Sequence, residues 1–152
     1  MKINFKNCVL FPTVVYSLLF VSCKLAQDEF PPYVVSKPVC LIEQKIGYFN
    51  FVGIEFDLFN SGDKNISNFY ISFMVYDADT QKNPFAGSNV IKMSFDGLVK
   101  RQETQKFFVD LDSYVYTVPA KAYLIDFFCI TKIVYEDGST WEDTAGVYYT
   151  NS

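Results

Sequence analysis

From Ile66 to Tyr76 the chain alternates apolar and polar side chains so regularly that only a strand can use the pattern. Phe69, Ile71, Phe73 and Val75 fall on one side, and Asn68, Tyr70, Ser72, Met74 and Tyr76 on the other. Successive side chains of a strand point to opposite faces, so a period of two marks a strand with one face buried. Such a strand needs neighbours for its backbone groups and a second layer for its apolar face. One segment thus commits the chain to packed sheets.

The same period recurs along residues 33–152. Phe49 to Phe59 sets Ile54, Phe56 and Leu58 against Glu55 and Asp57, and Gln105 to Leu111 sets Phe107, Val109 and Leu111 against Lys106 and Asp110. Val34 to Glu43 is a first strand, broken by Pro38, whose missing N–H suits an edge. Val90 to Phe95 is a short strand ended by an Asp96-Gly97 turn. Tyr123 to Glu136 is the longest; its odd positions, Ile125, Phe127, Cys129, Thr131, Ile133 and Tyr135, are expected to face inward. Asp137-Gly138 is a hairpin signal, and Trp141 to Thr150 follows as the last strand. Turn clusters occupy Asn60 to Asn65 and Asp77 to Asn83. No helical period appears in this part of the chain. The 16 Phe and 11 Tyr suit strands. Seven or eight strands at intervals of about ten to fifteen residues predict an all-β, antiparallel, immunoglobulin-like sandwich, with a small barrel as the alternative.

The first residues read differently. Lys2 and Lys6 precede an apolar run from Val9 to Val21. A spanning helix needs about 20 apolar residues, so this run suits the middle of an export signal instead. It ends in Leu19-Phe20-Val21-Ser22-Cys23-Lys24, which resembles the cleavage box of a bacterial lipoprotein, although Phe20 stands where Leu is usual. The resemblance implies a removed leader over 1–22 and a mature terminus at Cys23 carrying acyl chains of the palmitate kind. Residues 23–32 then form a lipidated, Pro-ended tether. Its nine residues after Cys23 span about 30 Å at most, which keeps the domain near the lipid. The expected location is a bacterial envelope membrane. The alternative is an ordinary secretory signal with Cys23 incidental.

Cys8 leaves with that leader. Cys40 and Cys129 remain, in a compartment where disulfides form. They can pair with each other or stand as two buried thiols.

Other patches resemble the FxLYD-type domains of bacterial exported proteins. Phe73-Met74-Val75-Tyr76-Asp77 matches their motif with Val in place of Leu. Phe56-Asp57-Leu58-Phe59-Asn60-Ser61 with Lys64-Asn65-Ile66 is similar to the approach to it, and Ile133-Val134-Tyr135-Glu136-Asp137-Gly138-Ser139 to the closing hairpin. The resemblance implies an immunoglobulin-like sandwich and transfers no catalytic residue.

Chemistry is sparse. The chain has no His, which removes Ser-His-Asp and Cys-His catalysis and most zinc sites. No phosphate-binding glycine motif occurs. Asp110 and Asp112, about 7 Å apart on one strand face, have a spacing a glycosidase could use, but a solvated face is the simpler reading. Asp77-Ala78-Asp79-Thr80-Gln81 starts like a calcium loop, yet Lys82 and Ser88 replace its Gly and Glu. Glu136, Asp137, Glu142 and Asp143 read as turn charges. We therefore expect no catalytic residue, no metal and no cofactor. Thirteen Lys and Arg against 17 Asp and Glu give a net charge of −4, and losing Lys2 and Lys6 makes it more negative. That disfavours nucleic acid as a partner. The expected function is a non-catalytic envelope module, structural or protein-binding. The alternative is a ligand or glycan binder using exposed aromatics, with Tyr70, Tyr76 and Trp141 as the candidate surface.

Overall fold

The computed structural model describes residues 30–43, 48–143 and 145–150. The expected leader, Cys8, Cys23 and the expected tether up to residue 29 lie outside the described residues. Nine strands are described: β1 (Tyr33–Val35), β2 (Val39–Ile42), β3 (Val52–Asn60), β4 (Ile66–Tyr76), β5 (Val90–Val99), β6 (Thr104–Asp110), β7 (Leu124–Tyr135), β8 (Thr140–Glu142) and β9 (Tyr149–Thr150). They form two antiparallel sheets around one core, the β-sandwich that the alternation implied.

In the first sheet, β3 is central. β6 lies along one side of it, from Gly53 to Phe59. β1 and β2 lie end to end along the other, opposite Leu58–Asn60 and Val52–Glu55. The expected first strand is thus two strands, broken around Pro38, where the ladder lacks a donor. In the second sheet the order is β5-β4-β7, with β8 and β9 both on the outer side of β7. The expected last strand is also split. Asp143 is buried; its N–H bonds Thr131 O at 3.0 Å and its Oδ2 accepts from Tyr148 N at 3.0 Å. That clasp loops the chain out between β8 and β9. The two splits account for nine strands where seven or eight were expected. Asp96-Gly97 is not a turn but lies inside β5, where the register against β4 slips by one residue between Asp96 and Val99, so the glycine marks a bulge.

Phe56, Phe69, Phe95, Phe107 and Phe128 meet between the sheets. Ring centroids from Phe56 to the other four lie 4.8–6.5 Å away. Phe73 extends the cluster to Phe128 at 5.7 Å. The inner face expected for β4 is correct: Phe69, Ile71, Phe73 and Val75 are all buried.

The inner face expected for β7 is correct only at its ends. The β4–β7 register slips between Tyr70 and Ile71 and again between Ser72 and Met74, each time with one extra residue on β7. Each bulge reverses which side chains face the core. Ile125 and Ile133 are inward as expected, but between them Phe128 and Ile130 take the core positions. Phe127 is 43% exposed at φ 51°, a left-handed backbone that only a bulge would impose on an aromatic residue. Cys129 is buried but outside the contiguous core.

Tyr33 crosses between the layers. From β1 its hydroxyl lies 3.4 Å from both the carbonyl oxygen and the amide nitrogen of Ile130, on β7. Burial pushes its pKa above the usual tyrosine range.

Gly53 sits under the Phe49 ring. A Cβ there would lie 2.2 Å from Phe49 Cδ1 and 2.7 Å from Val109 O. Backbone and a buried ring cannot both withdraw, so Gly53→Ala should destabilise by about 1–3 kcal/mol. Urea denaturation measures this; an unchanged midpoint would show that Phe49 moves freely.

The two ends of the sandwich differ. At one end, Pro32 O accepts from Gly62 N at 3.1 Å, and the turns at Asn60–Asn65, Lys100–Glu103 and Glu136–Ser139 are tied together. Asn60 is buried there with its amide satisfied: Nδ2 donates to Lys64 O and Val99 O, and Oδ1 accepts from Gly62 N. The chain enters β1 at this end. The long loops 77–89 and 111–123 lie at the other.

Candidate functional site

Tyr70, Tyr76 and Trp141 do not form one surface. Tyr70 is 40% exposed on the outer side of β4. Tyr76, at the far end of the same strand, is half-buried and donates its hydroxyl to Met74 Sδ at 3.2 Å. Trp141 pairs across the ladder with the core residue Ile133, so it faces inward. Its ring packs edge-on against Tyr33 at 5.5 Å and lies tilted against Tyr148 at 6.0 Å.

Cys40 and Cys129 stand as free thiols rather than as a disulfide, Cys129 buried and Cys40 half-buried, where two buried thiols were the alternative. They belong to different sheets and have different partners. Cys40 Sγ accepts from Tyr123 N at 3.2 Å, and Cys129 Sγ donates to Ser72 O at 3.6 Å. Burial pushes both thiols up in pKa, and for Cys129 the Asp143 carboxylate adds to this. Both are therefore poor nucleophiles.

Asp110 and Asp112 do not share a strand face. β6 ends at Asp110, and Asp112 opens a single 3-10 turn, Asp112–Tyr114. Asp112 Oδ2 accepts from Asn50 N at 2.6 Å, and Oδ1 from Phe51 N at 2.8 Å and Val52 N at 3.1 Å. Asp110 Oδ1 accepts from Asp112 N at 2.8 Å. This carboxylate pair builds a turn. Burial works to raise the Asp112 pKa, but the N–H donors outweigh it and hold the carboxyl below its ordinary range.

Asp77 likewise shapes a loop. Its Oδ1 accepts from the amides of Asp79 and Thr80 and from the Thr80 hydroxyl. Among the described residues no group of three or more Asp, Glu, Cys or His is placed to hold a metal. No described helix is long and apolar enough to cross a membrane.

The feature that stands out is at the loop end. Loops 77–89 and 111–123 flank an open groove of about 580 Å³. Phe85 forms its centre, 5.4 Å from Tyr114 and 5.8 Å from Tyr123 between ring centroids. Tyr116 stands at its rim, 93% exposed. Short bonds hold these loops. Asn83 Oδ1 accepts from Phe85 N at 2.9 Å while its Nδ2 donates to Gly87 O at 2.6 Å. Asn89 and Val75 close the loop base. Lys121 and Asp79 join one loop to the other at 2.6 Å. A second hollow of about 360 Å³ continues past Pro84, Pro119 and Tyr123 toward Asp77, Asn83 and Lys121.

Sequence reasoning did not single out Phe85, Tyr114, Tyr116 or Tyr123. A signal was available for three of them: Phe85, Tyr114 and Tyr116 lie near Pro84 and Pro119 in stretches with too little alternation to be strands, whereas Tyr123 opens the segment read as the longest strand. Aromatics in loops lack the sheet face that would bury them. No family model matches this chain, and no curated protein or solved structure matches it either.

Proposed function

We propose that the chain is a non-catalytic bacterial lipoprotein of the FxLYD type, held at an envelope membrane by acyl chains on Cys23. It acts as an interaction module through the end of the sandwich remote from its tether. The observation carrying this reading is the Val21-Ser22-Cys23 box only ten residues ahead of β1. Each buried methylene adds about 0.8 kcal/mol, so two or more chains anchor stably. A tether leading into the turn end would leave the loop end facing away from the lipid. Strands of β4's length put that end about 35 Å further out. The partner under this reading is another envelope protein.

Growing producing cells with a clickable palmitate analogue tests the anchor. Wild-type protein should be labelled and sediment with membranes, and Cys23→Ser should lose both properties. Crosslinking in intact cells should recover an envelope protein with the wild type and not with Cys23→Ser. Unlabelled wild-type protein would remove the anchor, and crosslinking that recovers nothing would remove the interaction.

A further inference from the structure

The geometry points to the groove between loops 77–89 and 111–123 as a binding site for a neutral oligosaccharide, with Tyr114, Tyr116, Phe85 and Tyr123 as its platform. The first argument is charge. One residue in five of this chain is charged, yet no described side chain lining the groove is. A phosphorylated, carboxylated or cationic ligand would lose its hydration there without a counter-charge. The second is the type of lining. Four rings offer flat faces for the C–H face of a pyranose, and Ser88, Ser113 and Thr117 stand among them with hydroxyls that both donate and accept. Among the described residues, no hydrogen bond occupies the phenolic hydroxyls of Tyr114, Tyr116 or Tyr123. A ligand carrying many hydroxyls matches that set; a purely apolar one would leave it unused.

The third argument is shape. A groove of about 580 Å³ is in the size range of small-molecule sites. It is open rather than enclosed, and it continues into the second hollow, where Asn83 and Asp79 lie beside Pro119. An open, two-part trough suits a chain of sugar rings better than one ring. In that hollow Lys121 is paired with Asp79, and Asp77 Oδ1 already accepts from Asp79 N, Thr80 N and the Thr80 hydroxyl, so the one unbalanced charge there is negative and offers nothing to an anionic ligand. The loops are bonded into place before any ligand arrives, so binding would cost little ordering. This assignment names a ligand for the loop end and does not depend on lipid at Cys23.

The test uses the full chain in mild detergent with maltohexaose, cellohexaose, laminarihexaose and chitohexaose, and with hexagalacturonate as the anionic control. Saturation-transfer NMR and titration should show at least one neutral hexasaccharide binding with Kd below about 1 mM, and no binding of the anion. Tyr116→Ala and Tyr114→Ala should each weaken it at least tenfold without changing the melting temperature. Tyr70→Ala, on the outer side of β4, should leave it unchanged. Three results overturn the assignment: no binding of any neutral probe, equal binding of hexagalacturonate, or affinity that survives both groove substitutions. Capture of a proline-rich peptide with no saccharide bound would also overturn it. Because lipid plays no part in this assay, its failure is separate from failure of the anchor.

Discussion

Phe56→Ala should cost the fold about 3–5 kcal/mol. The ring is buried in the middle of β3 and touches Phe69, Phe95, Phe107 and Phe128, so both sheets contribute neighbours. Removing it takes away the transfer energy of the ring and leaves a void that four other rings cannot fill without leaving their rotamers. Domains of this kind are stable by about 5–15 kcal/mol, so the loss is a large part of the whole. The melting temperature should fall by roughly 10–20 °C. Phe56→Leu keeps most of the volume and should cost under about 1.5 kcal/mol. Thermal and urea unfolding of the two variants measure the contrast. Equal losses would mean that the aromatic contacts, rather than volume, set the cost.

Asp112→Ala is the other large effect. One carboxylate accepts three backbone N–H groups from the segment leading into β3, and Val52 among them is fully buried. Without it those donors lose their partners, and we expect a loss of about 2–4 kcal/mol. Amide exchange at Asn50, Phe51 and Val52 should speed up more than exchange in β4. Asp112→Asn keeps the shape but presents one oxygen and an NH₂ group to three donors, so it should recover only part of the loss. The pH dependence has a definite sign. The folded pKa lies below the ordinary aspartate value. The stabilisation is therefore present above about pH 4, the unfolded value, and is lost as pH falls through the folded pKa. The gap between wild type and Asp112→Asn should narrow on acidification below about pH 4. A gap constant from pH 7 to pH 3 would show that the carboxylate's charge is not what holds the turn.

Where local pattern and tertiary packing agreed, the fold could be read from the residues. β4 has the bounds expected of it, because its alternation is unbroken and it lies at the centre of its sheet. β7 could not be read the same way. Phe127-Phe128-Cys129-Ile130 is a continuous apolar run, so nothing local says which member faces in, and only the bulges against β4 decide. Trp141 opens what reads as one long last strand, in which nothing local fixes the side it faces; pairing with Ile133 turns it inward. Asp112 looked like a strand residue, since two carboxylates spaced by two resemble a solvated face. Its role depends on Asn50 to Val52, about sixty positions earlier. The groove was hidden for a related reason. Phe85 and Tyr114 come from loops about thirty residues apart, and no periodicity reports that two loops share one end of a sandwich.

The hydroxyl of Tyr33 has a mechanical meaning. β1 is three residues long and on its own would peel from β3 under slight tension. With its phenol seated on Ile130, a tug on the polypeptide ahead of β1 is shared between both layers from the start. Stripping that strand means drawing a rivet out of the opposite wall, so the N-terminal edge yields together with the body rather than before it.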